Sequence, residues 1–192
     1  MAQDHAAPAT RGAAIVPVAG PPGIDLQING EQYRHTGDPE MPLLWYLRDV
    51  LRLDGTKYGG EHGEGGADLV LVDGKAASAI GVPMSKLADK QVTTVEGLAD
   101  TKGALHPLQQ AFIHEDAIGC GYCTPGWLIA SMDLLNRRKD PSDSDIDTLP
   151  NLCRCGCQTR VRSAIKRAAA SMKQGTKARV AWYDCPVAVS CR

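Results

Sequence analysis

Hydrophobic and polar residues alternate along the first part of the chain in a way that predicts β-strands. Ile24, Leu26 and Ile28 alternate with polar residues, which is typical of a half-buried strand. Asn29-Gly30 follows directly and predicts a hairpin turn. The same reasoning predicts further short strands at residues 33–35, 69–72, 76–80 and 92–95.

Hydrophobic residues recur at a helical period in other parts of the chain. The predicted helices begin near Pro42, Leu105, Pro125 and Ser142 or Ser144, and the last runs from about Gln158 to Lys173. The stripe of the first helix consists of Leu43, Leu44, Tyr46, Leu47, Val50 and Leu51. The stripe of the last helix consists of Val161, Ala164, Ile165, Ala168 and Met172. We therefore expect a small α+β unit over residues 24–98 and a small helical bundle over residues 105–173.

Composition and charge exclude several classes of protein. The chain has 192 residues, of which 43% are hydrophobic and 22% charged, so wholesale disorder is excluded. Its 21 basic and 22 acidic residues give a net charge of -1, so no nucleic acid partner is expected. No hydrophobic run approaches the roughly 18 residues of a membrane span, so the chain is expected to have no transmembrane segment of its own.

The two ends of the chain differ from its middle. Residues 1–22 are rich in Ala, Pro and Gly and predict a flexible arm without a secretory signal or twin-arginine pair. Localisation therefore stays open between the cytoplasm and a periplasmic or membrane-associated complex, exported with a partner. The expected domains are a sheet domain at 23–100, a helical domain at 101–174 and a C-terminal extension at 175–192.

The seven cysteines form a pattern that is typical of a metal centre rather than of disulfides. Cys120-Gly-Tyr-Cys123 and Cys153-Arg-Cys155 each place two thiols on a short turn. Thiolates in this number bind zinc or an iron–sulfur cluster. The C-x-C spacing of the second pair and the helix predicted between the pairs favour a [2Fe–2S] cluster, with structural zinc as the alternative. The remaining cysteines have no assigned role: Cys157, expected as a spectator beside the site, Cys185 and Cys191.

The two cysteine segments also carry a resemblance to a known family. GCGYCTPGWLIASMDLL, followed by LPNLCRCGCQTRVRSAIKRAA, resembles the helical domain of the iron–sulfur subunits of molybdenum hydroxylases, the family of xanthine oxidase and aldehyde oxidoreductase. The bacterial aldehyde and isoquinoline dehydrogenase small subunits are especially similar. The resemblance extends back through IDLQINGEQY, PLLWYLRDVL, DGTKYGG, LVLVDGK and VTTVEGL and covers roughly residues 24–172.

The resemblance implies a fold, a cofactor and a partner. The implied fold is α+β, with a plant-ferredoxin-like β-grasp domain followed by a four-helix [2Fe–2S] domain. The implied ligands of the cluster nearer the molybdenum are Cys120, Cys123, Cys153 and Cys155, with Cys155 also contacting the pterin. The implied partner is a large catalytic subunit that binds molybdopterin as the cytosine dinucleotide and oxidises aldehydes or N-heterocycles. The implied role of this chain is non-catalytic electron transfer.

The chain departs from the family at the ligands of the ferredoxin-like cluster. Those positions correspond to Gly60, Gly65, Asp68 and Ala79, none of which offers a thiolate. We therefore predict one cluster per chain and an electron exit to an external acceptor such as a c-type cytochrome. The chain has no C-x-x-C-H haem motif, so that haem would lie on another subunit. A smaller departure is Gly119, where the family usually has a Gln beside the pterin.

Three further features of the sequence have more than one interpretation. The loop that lost its cysteines carries Glu61, His62, Glu64 and Asp68, which could bind a divalent ion, although a solvated loop is the favoured interpretation. Trp45 and Trp127 are expected in the core or at an interface. The last helix carries a basic face that is expected to be solvated, with an acidic partner as the lesser alternative: Arg160, Arg162, Lys166 and Arg167. For the chain as a whole, the competing function is that of a structural zinc-binding or assembly protein.

Overall fold

The computed structural model describes residues 23–61, 63, 65–100 and 102–173. The predicted arm at 1–22 and the predicted extension at 175–192 lie outside the described residues. The same holds for His62, Glu64, Cys185 and Cys191.

The first half of the described chain forms one mixed β-sheet. Its strands are β1 (Ile24–Ile28), β2 (Glu31–His35), β3 (Leu69–Val72), β4 (Lys75–Ser78) and β5 (Gln91–Thr93), in the spatial order β2-β1-β5-β3-β4. β1 pairs antiparallel with β2 and parallel with β5, while β3 pairs antiparallel with β4 and with β5. Asn29-Gly30 forms the predicted first hairpin turn, with positive φ angles of 51° and 88°.

The ends of two strands differ from the prediction. β4 was expected to reach Ile80, but it ends at Ser78. The chain turns there because the Ile80 N–H donates to the Asp68 carboxylate instead of continuing the ladder. β5 ends at Thr93, and Val95 begins a short 3₁₀ turn, Val95–Leu98, rather than closing the strand.

The helix predicted after Pro42 forms with a wider winding than expected. One α turn, α1 (Leu43–Trp45), continues directly into a π-helical turn, Tyr46–Val50. The Leu51 N–H bonds to the Tyr46 carbonyl, five residues back, which shifts later residues away from the α period. Val50 is consequently 55% exposed, so its assignment to the buried stripe was wrong.

The second half of the described chain is helical, as predicted. Its helices are α2 (Pro107–His114), α3 (Thr124–Arg137), α4 (Asp143–Asp147) and α5 (Gln158–Lys173). Ser142 caps α4 through a capping box with Asp145. The stripe of α5 is buried from Val161 to Ala168 and packs against α2. Among the described residues, no helix is long and apolar enough to span a membrane.

The basic face of α5 is engaged by acidic residues of the same chain. Arg160 pairs with Asp116, and Arg167 pairs with Glu115 at the end of α2. Arg162 and Lys166 contact α4, where both approach Asp143. These exposed pairs contribute little each, but they show that the face is neither purely solvated nor reserved for an acidic partner.

The described residues form three hydrophobic clusters, and the third joins the two halves. One lies under the sheet around Leu26, Leu47 and Met84, and one lies between the helices around Phe112, Trp127 and Ile165. The third consists of Leu69 and Leu71 of β3 packed against Ile129 and Ala130 of α3. This junction places the loop before β3 against the start of α3. The fold is therefore α+β, and Trp127 is in the core as expected, whereas Trp45 is 36% exposed.

Candidate metal centre

The four predicted ligands come together where two helices begin. Cys120 and Cys123 lie in the turn between α2 and α3, with Cys123 at the N-cap of α3. Cys153 and Cys155 lie in the turn between α4 and α5. The thiols interact in two pairs that cross between the turns, Cys120 with Cys155 and Cys123 with Cys153. The N–H of Cys120 also donates to the Cys155 sulfur at 3.4 Å.

The two thiol pairs differ in exposure. Cys120 and Cys155 are exposed, Cys123 is half-buried, and Cys153 is 8% exposed within the core of the helical half. One edge of the site therefore opens to the protein surface, and the opposite edge is protected from water.

The surroundings shift the pKa values of the thiols in opposite directions. The Tyr122 N–H, followed by the Cys155 thiol, lowers the pKa of Cys120. Burial, followed by the Cys153 thiol, raises the pKa of Cys123 to about 12. Burial alone would raise the pKa of Cys153, but the N–H of Cys157 and the Cys123 thiol outweigh it and lower that pKa. Because metals bind thiolates, binding of a metal or cluster at this site releases the thiol protons, above all that of Cys123, whose pKa is raised.

The donor set fits a two-iron cluster better than a single ion. Among the described residues, no group of three or more His, Cys, Asp or Glu side chains gathers closely enough to hold one metal ion. A zinc site needs four donors around one centre, whereas a [2Fe–2S] cluster distributes its four thiolates over two irons. The crossed thiol pairs match the second requirement.

A close approach explains the glycine beside the site. A Cβ at Gly119 would lie 2.6 Å from the Cβ of Cys155 and 2.9 Å from its sulfur. No side chain fits there unless the Cys155 turn moves. Gly119 therefore lets the two turns approach each other closely in this structure.

Cys157 is buried directly behind the site. It is 1% exposed, its thiol interacts with Cys153, and its sulfur accepts from Arg160 at 3.5 Å. Burial, followed by Cys153, raises the pKa of Cys157. Its place in the hydrophobic core and in the first turn before α5 marks it as a packing residue next to the ligands.

Comparison with known proteins identifies the family. The profile of the [2Fe–2S] binding domain matches residues 94–166. A protein of Pseudomonas putida that forms part of nicotinate dehydrogenase is 43% identical over 153 residues, which is 79% of this chain and 97% of that protein. The alpha chain of isoquinoline 1-oxidoreductase from Brevundimonas diminuta is 44% identical over 149 residues, which is 76% of this chain and 97% of that one. This chain belongs to the family of small iron–sulfur subunits of molybdenum hydroxylases.

Solved structures of the molybdenum hydroxylases share the fold. A chain of quinoline 2-oxidoreductase from Pseudomonas putida 86 matches with a TM-score of 0.75 and 31% identity, over 82% of this chain and 99% of that one. Aldehyde oxidoreductase from Desulfovibrio desulfuricans matches with a TM-score of 0.74 and 35% identity, over 79% of this chain but only 17% of that larger one. The resemblance inferred from the sequence is confirmed, and the relatives are subunits of oxidoreductases.

The positions that lost their cysteines in this molybdenum hydroxylase subunit hold one buried carboxylate. Asp68 is fully buried, and it accepts hydrogen bonds from the Ser78 hydroxyl and from the Ile80 N–H at 3.3 Å. Its second oxygen, Oδ1, has no hydrogen-bond partner among the described residues. A Cβ at Gly63 would lie 3.1 Å and 3.2 Å from the two carboxylate oxygens. The carboxylate therefore fills space inside the loop.

The same loop contacts both cysteine turns, which the sequence did not predict. The Tyr122 hydroxyl donates to the Tyr58 carbonyl at 2.7 Å, and the Asn151 side chain donates to the Gly66 carbonyl at 2.8 Å. A Cβ at Gly126 would lie 1.8 Å from that Gly66 oxygen. A glycine inside a helical pattern is unfavourable, so Gly126 is the one sequence signal that could have revealed this contact.

Proposed function

We propose that this chain is the electron-transfer subunit of a heteromeric molybdenum-dependent dehydrogenase that oxidises aldehydes or N-heterocycles. The observation that carries the proposal is the crossed arrangement of four thiols, protected on one edge and open on the other. A [2Fe–2S] cluster bound by Cys120, Cys123, Cys153 and Cys155 supplies one-electron redox chemistry. The related subunits belong to nicotinate dehydrogenase and isoquinoline 1-oxidoreductase, which supports the substrate class.

The exposed residues around the open edge of the site support the proposal that a large catalytic subunit binds there. Three exposed hydrophobic residues lie within three positions of Cys120 or Cys155 in the sequence. They are Ile118, Tyr122 and Leu152, which are 41%, 50% and 67% exposed. Exposed hydrophobic side chains next to a site mark a contact surface. The large subunit would cover this edge, with its molybdopterin cytosine dinucleotide near Cys155. Electrons from the molybdenum would then enter on the exposed side.

The domain assignment follows the same division. The sheet, with its order β2-β1-β5-β3-β4, corresponds to the ferredoxin-like β-grasp domain at 23–100. Helices α2 to α5 correspond to the four-helix [2Fe–2S] domain at 101–174. Of these two domains only the second contains cysteines, so the proposal assigns one cluster to the chain.

A single cluster requires an electron exit that avoids the sheet domain. With glycine, alanine and a hydrogen-bonded Asp68 at the other ligand positions, that domain offers no thiolate for a second redox centre. We therefore assign the acceptor to another subunit, such as a c-type cytochrome. The structural zinc alternative is not favoured, because the described donors do not gather around one ion and the family profile is that of a [2Fe–2S] domain.

Iron and acid-labile sulfide analysis of the purified complex tests the proposal, together with EPR after dithionite reduction. We expect two irons, two sulfides and one EPR signal per chain. Four irons and two signals would contradict the single-cluster assignment. One zinc ion without an EPR signal would support the structural alternative instead.

A further inference from the structure

We infer that the loop that lost its cysteines has become a brace that holds the two remaining cysteine turns at a defined separation. The brace consists of Tyr58, Gly59, Gly65 and Gly66. The inference rests on the proposed cluster, and it assigns the positioning of the ligands to residues of the other half of the chain.

One end of the brace holds the first cysteine turn. Tyr122 lies between Cys120 and Cys123, and its hydroxyl donates to the Tyr58 carbonyl at 2.7 Å. The Lys57 ammonium lies 6.0 Å from the centre of the Tyr122 ring, and Tyr58 stacks on Trp45. The Tyr122 side chain is therefore held although it is half exposed.

The other end of the brace holds the second cysteine turn. Asn151 and Leu152 immediately precede Cys153. The Asn151 side chain, which is 5% exposed, donates to the Gly66 carbonyl at 2.8 Å, and the Leu152 N–H donates to the Gly65 carbonyl at 3.3 Å. Buried hydrogen bonds of this kind are costly to break.

Backbone hydrogen bonds join the two ends of the brace without a cluster. The Gly65 N–H donates to the Gly59 carbonyl at 3.0 Å, and the Lys57 N–H donates to the Ala67 carbonyl at 3.1 Å. Asp68 then fastens the loop to the sheet through Ser78 and Ile80. These bonds connect the two ends of the brace, so a displacement of one cysteine turn displaces the other.

This geometry makes a specific prediction about two substitutions. Tyr122→Phe removes the bond at one end, and Asn151→Ala removes a bond at the other. The test follows bleaching of the visible absorbance of the intact complex with an iron chelator, without oxygen, and it does not depend on activity. Each variant should lose its cluster about fivefold faster, because each loses one hydrogen bond. Tyr33→Phe, a tyrosine of β2 in the sheet half, is the matched control and should bleach at the wild-type rate.

The double variant distinguishes a brace from two local contacts. Two bonds at the ends of one connection are not independent, because breaking either one already disconnects the ends. The bleaching rate of the double variant should therefore rise by much less than the roughly 25-fold product of two independent effects. Fully multiplied effects, or singles that match Tyr33→Phe, would overturn the brace while leaving the cluster in place. A wild-type complex without iron would instead overturn the proposed function. Gel filtration checks that Tyr122→Phe still retains its partners.

Discussion

Two loops of this chain occupy corresponding roles in the two halves, but only one retains its cysteines. In the helical half, four thiols cross between the turns before α3 and α5. In the sheet half, the corresponding positions hold Gly60, Gly65, Asp68 and Ala79. The described residues of the sheet-half loop are nevertheless joined by backbone hydrogen bonds, and the buried Asp68 carboxylate links them to β4. The proposed brace thus assigns structural support of the neighbouring site to a loop without thiol ligands.

The largest expected effect comes from removing one thiol. Cys153→Ser should abolish nearly all bound iron, because a serine hydroxyl is a poor substitute for thiolate toward iron. Iron analysis and EPR of the purified complex measure the loss. Cys157→Ser is the matched control, since Cys157 neighbours the site without completing it, and its iron content should stay near that of the wild type. Equal iron losses in both variants would contradict the assignment of Cys157 as a packing residue that does not bind the cluster.

The next effect concerns the carboxylate in the sheet half. Asp68→Ala should lower the free energy of unfolding by about 2 kcal/mol, because the partly buried Ser78 hydroxyl and Ile80 N–H lose their buried acceptor. Thermal unfolding followed by circular dichroism measures the change. Asp68→Asn keeps one acceptor oxygen in place and should cost less. Wild-type stability in Asp68→Ala would show that the loop does not need this side chain.

A smaller effect is confined to the helical half and depends on pH. Burial lowers the pKa of His106 from its ordinary value of 6.5, and its neutral ring nitrogen accepts the Leu108 N–H at 3.1 Å at the start of α2. The unfolded chain therefore takes up this proton first, so stability falls as the pH drops below 6.5 towards the lower folded-state pKa.

His106→Asn tests this pH dependence. Asparagine keeps a capping acceptor but does not titrate, so the variant should lose less stability than the wild type between about pH 7 and about pH 5. Melting temperatures across that range measure the difference. Parallel curves for the two proteins would show that His106 does not contribute.

The last prediction is that one added thiol in the sheet half does not change the iron content. Asp68→Cys restores one thiol to the sheet half, but Gly60, Gly65 and Ala79 still offer no ligand, so iron per chain should not rise. A gain of two irons would mean that the loop retains more ligand capacity than its residues indicate. The variant thus compares a loop with one thiol, which should bind no iron, with a site that has four thiols.

Much of the architecture was predictable because its signals are local. The alternation from Ile24 to Ile28 and the turn at Asn29-Gly30 predicted β1 and its hairpin, and the helical period predicted α5 from Gln158 to Lys173, as observed. The π-helical turn after α1 was not predictable in this way, since a period of hydrophobic residues does not distinguish one winding from the next. Val50 was misplaced for that reason.

The sequence by itself determined which positions carry thiols, that the sheet half has none, and which family the chain belongs to. Residue types and short spacings carry that information. Only the tertiary structure decided how the thiols pair, that Gly119 lies close against Cys155, and that Tyr58 and Gly66 contact the cysteine turns. These contacts join residues that are 64 and 85 positions apart. They accompany the packing of β3 against α3, and apart from the glycine at position 126 no local pattern of the sequence indicates that packing.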